Sequence, residues 1–441
     1  MNRNTVTQTL RRQFDGLPPQ TAWTFAIRIA AVGVEFLCLL ALARVFRAEA
    51  YGAYALVMSS IAIAAVPATV GFDRLLVREL AAYHASNDWA RLKGLMRRGV
   101  QVAWIASLIV AAVLLAGTWI YAGPDSADAV RALQLSAVLV PILALARIRQ
   151  ATLQGFGHLV AGQLPEAIVQ PAILIVLAGV TAVSLRLPRT AEFALTLQIV
   201  AAACALLLGA VLQRRYLPPP PSEVAPVYAT RQWLAAGMTF MWLVGMSAVL
   251  TNADTILVGT LMSPADAGVY RVASQLAMFV GLPLTAVSVA MAPGIAAMHS
   301  TRRHAELRSQ SRAAARLIVL GAGGIAFVIA FIGREVLQAF GPQFAKGFAS
   351  ALVLSVAYLF HSAMATSGYQ LLMSGHERLV AIIFSIGALT NVTALFVLVP
   401  LYGLVGAATA SGISLCLVSG ACALFARRLL GLNATLFQAT R

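Results

Sequence analysis

Ala48-Glu49-Ala50-Tyr51-Gly52-Ala53-Tyr54 returns as Pro264-Ala265-Asp266-Ala267-Gly268-Val269-Tyr270, with Gly52 set on Gly268 and Tyr54 on Tyr270 at a shift of 216 residues. Further along, Gln150 and Gly155 return as Gln370 and Gly375 at a shift of 220, with His158 and His376 slightly out of step. Two local matches at nearly one offset, close to half the chain, read as a duplicated lobe. Duplicated lobes in a membrane are the usual architecture of machines that expose one site alternately to two sides.

The composition agrees. Hydrophobic residues make up 60% of the chain and charged residues 11%, with a mean hydropathy of +0.83. A water-soluble domain carries about a quarter charged residues, so the chain reads as an all-α integral membrane protein. The polar stretch Met1 to Gln20 lacks the apolar core and cleavage site of a signal peptide, which predicts that the first apolar run is a retained span. The net charge of +16 does not point to nucleic acid, because the arginines cluster in short polar breaks between apolar runs. Cys38, Cys204, Cys416 and Cys422 lie in apolar segments without metal or disulfide spacing, so neither a metal nor a cofactor is expected.

Crossing the hydrocarbon takes about 20 apolar residues. Runs near 22–46, 51–73, 99–122, 131–150, 160–184, 191–213, 233–260, 267–298, 315–333, 349–373, 379–400 and 403–426 predict twelve spans, the eighth long enough to kink at Pro283. Arg74, Arg78, Arg147, Arg149, Arg214, Arg215 and the Arg302 to Arg316 cluster fall on one set of breaks, while the opposite set is poor in arginine. This asymmetry predicts cytoplasmic termini. Residues 1–216 form a first six-helix lobe, 217–230 a stiff connector containing Pro218 to Pro221, and 231–441 a second lobe. Six spans per repeat is an even number, so the two lobes point the same way, related by a pseudo-two-fold axis along the membrane normal.

Several motifs add a family reading. Asp254-Thr-Ile-Leu-Val-Gly259, Ala267-Gly268-Val269-Tyr270-Arg-Val-Ala273 and Met291-Ala292-Pro293 resemble the polysaccharide flippases of the multidrug/oligosaccharidyl-lipid/polysaccharide exporter superfamily. So do Gly71-Phe72-Asp73 with Arg78-Glu79, and Pro400-Leu-Tyr-Gly403-Leu-Val-Gly406-Ala407-Ala408. The resemblance implies a multi-pass carrier in a bacterial inner membrane. It would turn an undecaprenyl-diphosphate-linked oligosaccharide from the cytoplasmic to the outer leaflet for O-antigen, capsule or exopolysaccharide assembly. Its partners would be that lipid-linked oligosaccharide, membrane lipids, and a polysaccharide polymerase with its chain-length machinery.

Ionisable groups within apolar runs are the candidate site. Glu35, in the middle of the first span, is costly in lipid and is expected to face a wet cleft between the lobes. Arg28 lies two helical turns before it on the same face. A shift of 216 carries Glu35 to Thr251, one turn from Asp254 and beside Asn252. Glu35 and Asp254 are therefore expected to flank the cavity, at least one of them taking up a proton or cation. An alternative makes Asp254 a structural hydrogen-bonding residue. Arg28 and Arg271 are candidates for a diphosphate, since a guanidinium offers a planar fork to phosphate oxygens; an interfacial anchor is the simpler role for Arg271. Glu166 and His361, within apolar runs, are weaker candidates to line the cleft, Glu166 standing close to a cytoplasmic end and His361 being a lone histidine.

Enzyme motifs are missing: the sequence has no Gly-x-Ser-x-Gly, HExxH or P-loop. The competing expectations are a cation-coupled multidrug antiporter or a lipid II flippase of the same superfamily, and, from another class, a membrane-embedded polymerase or acyltransferase.

Overall fold

The computed structural model describes residues 19–120, 127–184, 186–217, 224–285, 287, 304–364, 367–368, 371 and 376–430. Every regular element among them is helical. The first half contains α1 (Pro19–Thr69), α2 (Phe72–Ala85), α3 (Trp89–Ile120), α4 (Ala127–Gly155), α5 (Leu159–Leu164), a π-turn over Pro165–Val169, α6 (Gln170–Val183) and α7 (Ala191–Tyr216). The second half contains α8 (Thr230–Leu261), α9 (Pro264–Met278), a short 3-10 turn, α10 (His304–Phe340), a 3-10 turn over Pro342–Gly347, α11 (Phe348–Met364) and α12 (Glu377–Leu430).

Two of these helices are too long to be one crossing. At 1.5 Å per residue, the 51 residues of α1 would reach about 76 Å, more than twice the hydrocarbon thickness. The helix breaks at Arg47, whose φ of 61° and ψ of 175° are not helical. The 54 residues of α12 break in the same way at Gly403, with φ 57° and ψ −134°. Among the described residues nine helices, or ten stretches with the bent pair α1/α2 counted, are long and apolar enough to span. Dividing α1 and α12 at their breaks gives twelve crossing segments among the described residues.

The predicted boundaries need correction in three places. The expected gap between 46 and 51 is a single residue, because one non-helical peptide suffices to reverse the chain into a hairpin. α10 begins at His304, well before 315, so that Arg308, Arg312 and Arg316 of the basic cluster fall within the helix. What was read as the polar end of the second span is a separate helix, α2, bent 46° away from α1. Its apolar residues Phe72, Leu75, Leu76 and Leu80 fall on one face and are fully buried, packed with Leu92, Leu95 and Trp233. That spacing is the signature of an amphipathic helix lying against a protein surface. The eighth span gives way to a 3-10 turn at Phe279–Gly281; Met291-Ala292-Pro293 and Pro218 to Pro221 lie outside the described residues.

The repeat copies meet. A Cβ placed on Gly52 would overlap the Pro264 carbonyl and stand 3.1 Å from Gly268 N, while one on Gly268 would stand 2.9 Å from Gly52 Cα and 3.0 Å from the Ala48 carbonyl oxygen. Gly52 pairs with Gly268, and Ala48 with Pro264, at the shift of 216. Each glycine therefore faces both its own counterpart and the residue four before it, the reciprocal pattern of a two-fold contact. The pseudo-two-fold axis passes between these two glycines.

Around this point, at the end of the molecule away from the connector, the halves are packed together. Phe36 lies 5.2 Å from the Phe279 ring and 5.3 Å from Phe340, and Tyr51 meets Phe344. The Arg44 Nε donates to the Ala339 carbonyl at 2.6 Å. At the connector end, residues 224–229 lie along the first half rather than spanning free. Val227 N donates to the Ala90 carbonyl at 3.0 Å, Lys93 Nζ to the Val224 carbonyl at 3.0 Å, and the Arg98 guanidinium covers the Tyr228 ring.

Candidate functional site

A cavity of about 470 Å³ opens beside the seam between the halves. Both arms of the α1 hairpin line it, through Ala31 to Leu42 and Tyr51 to Ala62, together with the π-turn, the start of α6, and Gln198 of α7. Among the described residues of the second half, only Asn252 of α8 and Arg271 of α9 reach it. Three of the residues singled out from sequence, Glu35, Asn252 and Arg271, thus share one chamber. Glu35 is exposed to it, and among the described residues neither Glu35 nor Arg271 forms an ion pair. Carboxylate and guanidinium therefore stand on opposite halves of one wet chamber, with the amide of Asn252 beside them. Asn252 Nδ2 donates to the Ala248 carbonyl and to Thr251 Oγ1, both at 2.9 Å.

The Arg28 side chain is outside the described residues. One expected residue, Asp254, lies elsewhere. Asp254 is 6% exposed and absent from the cavity lining. Its Oδ1 accepts from Thr255 N at 2.7 Å, and its Oδ2 from Tyr270 Oη at 3.0 Å and Ser411 Oγ at 3.3 Å. Hydrogen bonds from three groups satisfy the carboxylate inside the second half, where an unbonded one would be strongly disfavoured.

The first half builds the same triangle differently. Tyr54, the repeat counterpart of Tyr270, donates to Gln198 Oε1 on α7 at 3.1 Å, as Tyr270 reaches Ser411 on the last helix at 3.3 Å. The counterpart of Asp254 is Cys38, a buried free cysteine that lines the cavity. Where the second half closes its triangle with a carboxylate, the first leaves a smaller group and an open space.

Sequence reasoning missed part of the wall behind that space. Glu166, a weaker cleft candidate from sequence, lines the cavity from the π-turn, and its partner was not foreseen. Arg149, counted among the arginines of the polar breaks, is 5% exposed and bonded to Glu166 through Nη2 and Oε1. It enters the protein because Gly209 of α7 leaves a notch; a Cβ there would overlap the guanidinium. The signal available was a carboxylate inside an apolar run between Pro165 and Pro171, since an intramembrane ionisable group needs a named partner. His361, the other weaker cleft candidate, is not in the lining of this cavity and meets Ser419 Oγ through Nδ1 at 2.6 Å in the second half.

This arrangement, a chamber at the seam of two repeats with opposite charges on its two sides, coincides with a sequence match. The profile described as "Polysaccharide biosynthesis protein" matches residues 19–299. The chain belongs to the polysaccharide biosynthesis protein family. A search of curated protein sequences finds no match. Among solved structures, this family member is similar to an inward-facing multidrug resistance MATE family transporter of the MOP superfamily, with a TM-score of 0.72 at 14% identity over 92% of this chain and 98% of the other. It is also similar to a MOP superfamily transporter from Pyrococcus furiosus, with a TM-score of 0.66 at 13% identity over 93% and 95%. A Vibrio cholerae MATE transporter gives 0.60 at 15% over 98% and 100%. At these identities the likeness establishes the fold: this polysaccharide biosynthesis protein has the architecture of MOP superfamily transporters.

Proposed function

We propose that the protein is a flippase that carries an undecaprenyl-diphosphate-linked oligosaccharide from the cytoplasmic to the outer leaflet of a bacterial inner membrane, by alternating access, for O-antigen, capsule or exopolysaccharide assembly. The observation that carries this reading is one chamber lined by Glu35 and Arg271 from opposite repeats, neither of which forms an ion pair among the described residues. A cationic side chain on one half and a carboxylate on the other suit a head group that bears both phosphates and hydroxyl-rich sugar. The volume falls in the range of pockets that take a small ligand, so the diphosphate and first sugars occupy it while the lipid tail stays in the bilayer.

Family membership supports the cargo class, and the transporter fold supports movement over chemistry. In this reading the termini are cytoplasmic and the packed end around Gly52 and Gly268 faces outward, closing that side. Arg28 and Arg271 hold the diphosphate at inner and outer stations. Glu35 takes the coupling proton or cation, and Asp254 braces the second half. With no ATP-binding motif, drive comes from an ion gradient, the membrane potential or removal of product. A polymerase and its chain-length machinery would take the delivered unit.

The test is reconstitution in vesicles with a fluorescent oligosaccharide on polyprenyl diphosphate and a quencher confined to one leaflet. Wild-type protein should exchange the label between leaflets, and Glu35→Gln and Arg271→Ala should each slow exchange by about tenfold or more, the weight of one charged hydrogen bond. Exchange at the protein-free rate would defeat the reading. Gradient-driven efflux of cationic dyes in its place would move the protein to the antiporters, and new covalent products on the lipid to the enzymes.

A further inference from the structure

We propose that Arg149 is a masked anion site in the wall of the cavity, closed by Glu166 on one side and by the notch at Gly209 on the other, and opened when a phosphate oxygen replaces Glu166. The two residues sit on different helices, α4 and the π-turn, with Glu166 facing the cavity and Arg149 directly behind it. Arginine does not shed its charge in a protein, so a guanidinium that is 5% exposed has to place all its donors. It does not: Nη2 meets Glu166, but among the described residues Nε and Nη1 have no acceptor, and Glu166 Oε2 has no donor. A buried pair satisfied through one oxygen and one nitrogen is weak evidence for stability, and its unsatisfied atoms call for an explanation other than bracing.

The local backbone supports exchange. The π-turn, in which Gln170 N donates to the Pro165 carbonyl, carries Glu166 in its first turn; single π-turns inside helices recur at functional sites. Opposite it, the guanidinium packs on bare backbone at Gly209, where any side chain would force it out of the notch. Two independent features thus hold Arg149 back, and either can be removed by one substitution. The ligand chemistry is a phosphate or diphosphate, because a tetrahedral anion offers several acceptors to the donors that Glu166 leaves empty. That the anion is borne on a lipid rests on the flippase reading; the site itself does not.

Binding to the purified full-length protein in nanodiscs tests this, with inorganic pyrophosphate and farnesyl diphosphate as the two probes. Glu166→Gln keeps the shape and removes the competing charge. It should tighten binding of at least the farnesyl probe by about tenfold, one charged hydrogen bond released to the ligand. Gly209→Ala, which fills the notch, should tighten it in the same direction and serves if the first variant does not fold. Adding Arg149→Gln to either should erase the gain. Equal gains for both probes assign recognition to the phosphates alone, and a gain confined to farnesyl diphosphate assigns it to the lipid-borne head group. Unchanged affinity in both single variants, or a gain that survives Arg149→Gln, overturns the proposal. Neither probe has to be transported, so a protein that flips no lipid but shows the gain would lose the flippase reading and keep this site, while a working flippase without the gain would do the reverse.

Discussion

Gly52 and Gly268, counterparts 216 residues apart in the sequence, touch each other across the pseudo-two-fold axis, Gly268 N standing 3.1 Å from the position of a Gly52 Cβ. A contact between equivalent residues lies on the axis whatever angle the halves adopt about it. It is therefore the natural pivot or latch for any motion of one repeat against the other. No side chain fits between the backbones there.

Gly52→Ala should consequently lower thermal stability in detergent by about 1–3 kcal/mol, the usual range for inserting a methyl group into a packed contact. Gly33→Ala, where a Cβ meets nothing within 4 Å, is the control and should be neutral. A melting curve for each variant checks this; equal curves would show that the halves separate freely at Gly52.

Arg47 and Gly403 turn the two long helices with the same sign of φ, but only glycine adopts such conformations without strain. Gly403→Ala is expected to destabilise by about 1–3 kcal/mol and Arg47→Gly to stabilise by up to a similar amount. Chemical or thermal denaturation should show opposite shifts.

Asp254 accepts from Tyr270 and Ser411 inside the second half. Asp254→Ala should cost about 1–3 kcal/mol by leaving buried hydroxyls short of an acceptor, and Asp254→Asn less. If the residue braces, the Asp254→Asn protein that folds will still exchange lipid in vesicles. Loss of exchange with an unchanged melting temperature would instead give Asp254 a part in coupling.

A Cβ on Gly94 would overlap the Val227 carbonyl, so Gly94→Ala should lift residues 224–229 off α3. Hydrogen exchange at Val227, whose amide is bonded to Ala90, is the measurement, and it should speed up by at least about tenfold, as for a bonded amide opened to solvent. Unaltered exchange would mean that the segment is held elsewhere.

The all-helical membrane fold was legible because runs of about 20 apolar residues admit little else, and the duplication because Gly52 and Gly268 need glycine for the same close contact. Glu35, Asn252 and Arg271 stood out as polar groups in oily surroundings. Gln198 and Tyr54 did not, since a helix that is apolar nearly all round gives no phase to say which side faces a cavity. The partners of Asp254 were invisible for another reason: Ser411 is 157 residues away, and nothing local in the sequence joins the two. α2 carried a readable amphipathic pattern in Phe72, Leu75, Leu76 and Leu80, and was hidden only by its continuity with the span before it.

The unequal triangles around Tyr54 and Tyr270 carry an evolutionary consequence. With Asp254 hydrogen-bonded inside the second half and Cys38 lining the cavity in the first, a change of cargo is accommodated more readily in the first copy than in the second. Diversification toward new glycans should then accumulate in the hairpin arms and the π-turn of the first repeat, while the second drifts only as far as its hydrogen-bonded keystone allows.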